Sequence, residues 1–201
     1  LDALYNATGG THWTDSPGNG WLSGACHCQW AHVHCSNKTA CNDSPVERLF
    51  RSGVELVGSL PSWNGDPDQG ALPHLQELVL TGNPGLTGSL PEAWSKMAEL
   101  AILYLSTNSL AGSLPATWGT MAEMINLDLH SNSLTGSLPE AWSKMTKITQ
   151  LNVHTNRLTG FLPEAWSTMT KMTRLYLRTN RITGSLPEVW STMTQMKVLD
   201  L

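Results

Sequence analysis

Apolar residues recur along this chain in one fixed phase. Leu100, Leu103, Leu105, Leu110 and Leu114 are followed 24 positions later by Met124, Leu127, Leu129, Leu134 and Leu138, and then by Ile148, Leu151, Val153, Leu158 and Leu162. The alternation Leu103-x-Leu105 is that of a short strand with one buried face, so Tyr104 is expected to point outward, with Ser106 and Thr107 after it. Leu-Pro steps carry the same period at Leu60-Pro61, Leu90-Pro91, Leu114-Pro115, Leu138-Pro139, Leu162-Pro163 and Leu186-Pro187; the first interval is 30 residues and every later one 24. A complete unit reads L-x-x-L-x-L-x-x-N-x-L-x-G-x-L-P-x-x-W-x-x-M-x-x. Units start at Leu100, Met124, Ile148, Met172 and Met196, with one a residue longer from Leu75 and a degenerate one from Val46. The pattern predicts an α/β repeat solenoid over residues 46–201, built of seven units with the last cut short. Residues 1–45 lack the period and are expected to form an N-terminal cap, because a solenoid end otherwise exposes its core.

Each invariant column has a physical reading. Asn83, Asn108, Asn132, Asn156 and Asn180 fall at the turn leaving each strand, where a stacked ladder of side-chain amides would satisfy backbone groups that the turn leaves unpaired. Proline in the Leu-Pro step bars a helix from running across it and suits the first position of a new one. The segment Pro91 to Met97, repeated at Pro139 to Met145, therefore predicts a short helical turn on the convex side, with Glu at its positive end. Trp94, Trp118, Trp142, Trp166 and Trp190, each followed three residues on by Met, would form an aromatic platform for sugar or nucleic acid if they faced solvent. Strict repetition at a core phase favours core ladders instead. The insertion Asn64 to Ala71, rich in Gly, Pro and Asp, is expected to be a convex-side loop.

Composition narrows the function. Hydrophobic residues are 40% and charged ones 14%, with a net charge of −4, which argues against a disordered chain and against a generic nucleic-acid binder. Apolar runs of a few residues predict no transmembrane helix. With no initiator Met and no signal-peptide core, residue 1 reads as the start of a trimmed or mature chain. The final Lys197 to Leu201 stops in mid-strand without a C-terminal cap, which reads as a fragment and leaves a membrane anchor undecided. Residues 1–100 hold four Lys/Arg against ten Asp/Glu, and 101–201 hold eight against six. All four cysteines, Cys26, Cys28, Cys35 and Cys41, lie in the cap, beside sequons at Asn6, Asn37 and Asn42. Their even number and the sequons argue for an oxidising compartment and two disulfides. Three pairings are possible, of which Cys28–Cys35 with Cys26–Cys41 is the one expected. Zinc held by these cysteines with His27, His32 and His34 is the alternative, though the spacing matches no common finger.

A period in this range with an L-x-x-L-x-L-x-x-N core is the leucine-rich-repeat signature. The N-x-L-x-G-x-L-P continuation resembles the plant-type class. Cys28-Gln-Trp30-Ala-His32-Val33-His-Cys35 resembles that class's cap motif C-x-W-x-x-V-x-C, with His32 where glycine is usual. The segment Leu4 to Gly10 with Trp13 and Trp21-Leu22 resembles the caps of protist extracellular repeat proteins. The L-P-E-A-W-S-x-M unit is similar to the promastigote surface antigens and proteophosphoglycans of kinetoplastid flagellates. These resemblances imply a right-handed superhelix with a concave parallel sheet and a disulfide-bonded cap. They also imply a surface or secreted glycoprotein that meets host or environmental ligands, in such families often tethered by a lipid anchor beyond a stalk.

In such a fold the outward columns of the sheet are readable by phase. One runs Phe50, Val79, Tyr104, Asp128, Asn152, Tyr176, Asp200, and the next Ser52, Thr81, Ser106, His130, His154, Arg178. These columns vary while the core columns do not, as suits a recognition surface and equally a surface under no constraint. Tyr104, Asp128, His130, Asn152, His154, Arg174, Tyr176 and Arg178 combine aromatic area, hydrogen-bonding groups and Arg forks, so they are the expected site for a protein or glycan ligand. His130 and His154 on neighbouring strands, with Asp128, would offer a metal three ligands; ordinary ladder positions are the favoured reading, and no metal or other cofactor is expected. No nucleotide loop, nucleophile elbow or H-E-x-x-H helix occurs, so the expectation is a non-enzymatic binding module. A passive shielding coat and a plant-type receptor ectodomain or inhibitor are the alternatives. Extracellular or cell-surface placement follows from either reading.

Overall fold

The computed structural model describes residues 2–8, 32–36, 45–63 and 72–201. A short helix α1, Asp2–Ala7, stands at the N-terminus. Twelve strands follow in chain order: β1 Val33–Cys35, β2 Val46–Phe50, β3 Gly58–Ser59, β4 Glu77–Val79, β5 Leu86–Thr87, β6 Ile102–Tyr104, β7 Ala111–Ser113, β8 Asn126–Asp128, β9 Ser133–Thr135, β10 Gln150–Asn152, β11 Arg174–Tyr176 and β12 Val198–Asp200. The main sheet has the order β1-β2-β4-β6-β8-β10-β11-β12. Strand β1, from the cap, pairs antiparallel with β2, and every later pair is parallel. Equivalent positions of successive units are paired without slippage, as in Leu103↔Leu127 and Leu127↔Leu151. One inward leucine per strand sets this register, because a one-residue slip would turn it to solvent.

The core is a set of ladders running along the solenoid. Leu78, Leu103, Leu127, Leu151 and Leu175 are buried behind the sheet, and Leu80, Leu105, Leu129, Val153 and Leu177 lie beside them. The tryptophans are core, as their phase predicts. Trp63, Trp94, Trp118, Trp142, Trp166 and Trp190 stack in one file with ring centroids 5.5–6.4 Å apart and planes within 16° of parallel. From Trp94 onward, each indole N–H donates to a proline carbonyl of the preceding unit, as Trp142 does to Pro115 at 2.9 Å. The column thus binds neighbouring repeats by packing and by one directed bond per step.

The asparagine ladder also forms. Asn156 Nδ2 donates to the Leu129 and Val153 carbonyls, and its Oδ1 accepts from the Leu134 amide. Asn132 and Asn180 repeat the pattern. Each side chain therefore closes its own turn and joins it to the preceding one. The turn just before the ladder has positive φ in every unit, and at Thr107, Ser131, Thr155 and Thr179 the residue is not glycine. Further on, Gly136 has φ +78 and a side chain there would meet Ser113 Cβ at 3.4 Å, which accounts for the glycine column.

The short helical turns expected on the convex side form, as 3-10 helices over Glu92–Lys96, Ala116–Thr120, Glu140–Lys144, Glu164–Thr168 and Glu188–Thr192. Five residues between the Leu-Pro step and the buried Met leave room for little more than a turn. Ser106 is buried, not outward, with its hydroxyl 3.3 Å from Thr81 Oγ1 on the neighbouring strand. The loop proposed for Asn64 to Ala71, the sequons at Asn37 and Asn42, and Cys26, Cys28 and Cys41 lie outside the described residues. Cys35 lies in β1, and Asn6 is exposed on α1.

A second, narrower sheet was not read from the sequence. Strand β3 pairs with β5 and β7 with β9, and the isolated bridges Ser89↔Ala111 and Ser137↔Thr159 extend the pairing to further units. It presents exposed Thr87, Ser89, Ser113, Thr135, Ser137 and Thr159 on one flank. Strands of two or three residues leave no period-two signal long enough to recognise.

Candidate ligand-binding face

The solvent face of the main sheet brings the expected residues together. Parallel register aligns Tyr104, Asp128, Asn152, Tyr176 and Asp200 in one row across five strands. His130 and His154 stand two residues beyond Asp128 and Asn152 and form the adjacent row. Their rings lie face to face, with centroids 4.5 Å apart and planes 8° from parallel. Strand spacing of about 4.8 Å makes this contact a direct result of placing the same residue at the same phase in neighbouring units.

Each imidazole is held from behind. His130 Nδ1 lies 3.0 Å from Ser131 Oγ, and His154 Nδ1 lies 2.7 Å from Thr155 Oγ1. Ser131 and Thr155 are the residues with φ +53 and +54. A β-branched residue in that region is strained, and here the turn sets its hydroxyl against the preceding ring. Asp128 Oδ1 accepts from the His130 amide at 3.1 Å, while its Oδ2 is 3.9 Å from His130 Nε2.

The acid and the base are tuned by their surroundings. Burial pushes the Asp128 carboxyl above its ordinary value, against the opposing pull of the His130 amide, the two imidazoles and Asn152. His154 is pushed down, first by burial and then by the positive charges of His130 and Arg178. At the far side Arg178 Nε pairs with Asp200 Oδ2 at 3.3 Å, on largely exposed side chains, where such a pair adds little stability.

Asn152 departs from expectation. It is buried, and its Oδ1 accepts from the His154 amide at 3.4 Å. Its polar atoms are engaged in positioning neighbours, so it is not an open ligand contact. Tyr104, His130, His154 and Tyr176 are part-exposed, and Arg174 and Arg178 are exposed. Asp200, absent from the expected site, joins it through Arg178; its place in the outward row was the available signal. Among the described residues no group of three His, Cys, Asp or Glu is placed to hold a metal ion, and no helix is long and apolar enough to cross a membrane.

Comparison with known proteins bears on the fold and on the kind of face. The Leucine Rich Repeat family model matches residues 124–145, one unit of the array. No curated protein sequence matches the chain. Among solved structures, the leucine-rich-repeat ectodomain of the Arabidopsis thaliana membrane receptor kinase GASSHO1/SCHENGEN3, in complex with CASPARIAN STRIP INTEGRITY FACTOR 2, is 25% identical with a TM-score of 0.84. That match covers 98% of this chain and 23% of the other. PEPR1 with AtPEP1 is 26% identical with a TM-score of 0.82, over 99% of this chain and 27% of that one. A plant ice-binding protein is 28% identical with a TM-score of 0.80, over 95% and 58%. The chain thus spans about a quarter of the two receptor structures and 58% of the third. Its fold is a leucine-rich-repeat solenoid with a parallel sheet, similar over nearly its whole length to plant leucine-rich-repeat ectodomains.

Proposed function

We propose that the chain is the recognition module of an extracellular or cell-surface protein, binding a protein or glycan ligand on the solvent face of its main sheet. One observation carries this reading. The core columns repeat from unit to unit, while the outward row gathers Tyr104, Asp128, His130, His154, Arg174, Tyr176 and Arg178 within five adjacent strands. Aromatic area and Arg forks of this kind anchor interfaces. A protein ligand is the favoured class, because the GASSHO1/SCHENGEN3 and PEPR1 chains were both solved in complex with a partner. A receptor-type ectodomain is the form of this reading that those likenesses support. The kinetoplastid surface-antigen likeness, and the lipid anchor that went with it, rest on the repeat motif alone.

The test is capture of ligands from a glycan array and a secreted-protein library by the whole chain, compared with a Tyr176→Ala/Arg178→Ala variant. Ligands captured by the wild type and lost with the variant support the face. Capture by both equally places recognition elsewhere, and capture by neither leaves a passive shielding coat as the function.

A second reading has its own observation. The narrow lateral sheet shows an exposed, uncharged flank of Thr87, Ser89, Ser113, Thr135, Ser137 and Thr159, and one similar structure is a plant ice-binding protein. Against it, Thr87 and Thr159 donate their hydroxyls back to Gly58 and Gly136 carbonyls, and exposed Phe161 breaks the serine column. Ice-recrystallisation inhibition by the wild type, lost in Thr135→Tyr, would select it.

A further inference from the structure

We propose that His130 and His154 form a two-histidine site for a divalent transition-metal ion on the solvent face of the sheet. The site stands on the geometry of the pair and does not depend on which macromolecule the face recognises.

The rings are parallel, in contact and held in the same sense. Each Nδ1 is engaged by the hydroxyl of the next residue, Ser131 or Thr155, at 3.0 and 2.7 Å. An Nδ1–H donated to that hydroxyl leaves the Nε2 lone pair of each ring available, and among the described residues neither Nε2 makes a hydrogen bond. Metal-ligating histidines are held in this way, with the second ring nitrogen bonded to a fixed partner that sets tautomer and orientation. Ser131 and Thr155 share the positive-φ turn found at Thr107 and Thr179, and in these two units a histidine precedes it. A simple aromatic stack would need neither hydroxyl.

Charge favours a cation at this point. Asp128 presents Oδ2 3.9 Å from His130 Nε2, on the same side as the open nitrogen. Arg178 is the opposing group, but its Nε is turned to Asp200. Two metal–nitrogen bonds of about 2.0–2.1 Å in tetrahedral geometry set the nitrogens roughly 3.4 Å apart. The near-parallel rings, with centroids 4.5 Å apart, aim their Nε2 lone pairs side by side, so chelation requires both part-exposed rings to turn their Nε2 edges toward one ion as well as to approach. With two imidazoles as its ligands the site is bidentate, its other positions open to water or to an acidic group of a bound partner. Imidazole ligands select Cu2+, Ni2+ and Zn2+ over Mg2+ and Ca2+.

The test is titration of the whole 201-residue chain with CuCl2, NiCl2, ZnCl2 and MgCl2 at pH 7.5 by calorimetry, with electron paramagnetic resonance of the Cu2+ form. We expect one ion bound in the order Cu2+ tighter than Ni2+, with no Mg2+ uptake and hyperfine coupling to two imidazole nitrogens. His130→Gln and His154→Gln should each weaken binding at least about tenfold. Thr155→Val, which removes the hydroxyl behind the ring, should weaken it by roughly tenfold. His74→Gln, a solvent-exposed histidine elsewhere, should leave it unchanged. Binding that survives in both His130→Gln and His154→Gln, or a Cu2+ spectrum showing one nitrogen or none, overturns the site. Where a variant fails to fold, nuclear magnetic resonance of the wild type decides the question: Cu2+ should broaden the imidazole signals of His130 and His154 first, and broadening of other histidines instead overturns the site.

Discussion

Asn156→Ala should be among the costliest single changes outside the apolar core. The side chain accepts from the Leu134 amide at 3.0 Å and donates to the Leu129 and Val153 carbonyls at 3.0 and 3.1 Å. It is 9% exposed, so water cannot replace it well. Removal strands the buried Leu134 amide, while the Leu129 and Val153 carbonyls keep the Asn132 and Asn180 side-chain amides as donors. A buried polar group without a partner costs roughly 1–3 kcal/mol. Each carbonyl loses one of two donors, so the stranded amide dominates and the total is about 2 kcal/mol. Asn180 makes the same set of bonds but is only part-buried, so Asn180→Ala should cost about half as much. Urea unfolding measures the difference, and hydrogen exchange at the Leu134 amide locates it. Asn156→Ala within 1 kcal/mol of wild type, with the Leu134 amide still protected, would refute the ladder as a source of stability.

Four further outcomes follow from the same geometry. Trp142→Phe should cost about 2–4 kcal/mol, since it removes the indole bond to the Pro115 carbonyl, which keeps only the Trp118 amide, and leaves a small void in the stack. Trp63→Phe should cost less in the same unfolding measurement, because among the described residues Trp63 Nε1 has no partner to lose. With a captured ligand, Tyr176→Ala or Arg178→Ala should weaken binding by on the order of 2 kcal/mol in calorimetry, while Glu140→Ala on a convex turn should not change it. His154 has a folded pKa below its ordinary 6.5, so its contribution is intact above pH 6.5 and is lost as pH falls below it. The melting temperature should therefore drop between pH 7.5 and 5.5, and drop less in His154→Gln. Asp128, raised above 3.8, acts with the opposite sign and only at lower pH, between its raised value and 3.8. Reductant should lower stability by roughly 2–5 kcal/mol per disulfide lost. A chelator that destabilises the chain while reductant does not would return the cap cysteines to zinc.

Legibility in the sequence followed periodicity closely. Leu103, Leu127 and Leu151, the tryptophan file and the asparagine ladder were all readable, because each column repeats at one phase and its chemistry has one use there. The outward row was readable by the same phase, which is why Tyr104, Asp128, His130, His154, Tyr176 and Arg178 do meet on one face. What phase could not show is depth. Ser106 and Asn152 hold outward positions, yet neighbouring side chains cover them and their polar atoms are taken up inside the sheet. The 3-10 form of the convex turns depends on how few residues separate the Leu-Pro step from the buried methionine. The lateral sheet consists of pairs too short to leave a pattern, and the cap has no internal period at all.

The division of labour within one repeat explains how the binding face can exist. The groups that hold neighbouring units together, the asparagine amide, the indole N–H and the inward leucine, all act behind the sheet or at its turn. None of them calls on the residue at Tyr104, Asp128 or Tyr176. Exposed positions such as Tyr176 and Arg178 can therefore change with little cost to the fold, and a ligand site can be built by substitution alone. Asn152 marks where that freedom ends. It is buried in the outward row beside Asp128 and holds the His154 amide, so scaffold and face share this residue. Replacement of Asn152 should disturb both stability and the position of His154, whereas replacement of Tyr176 should disturb binding alone. Chemical shifts of His154 in Asn152→Ala and Tyr176→Ala, read beside their unfolding curves, separate the two roles. Equal effects of the two substitutions on stability would show that the face and the scaffold are not independent.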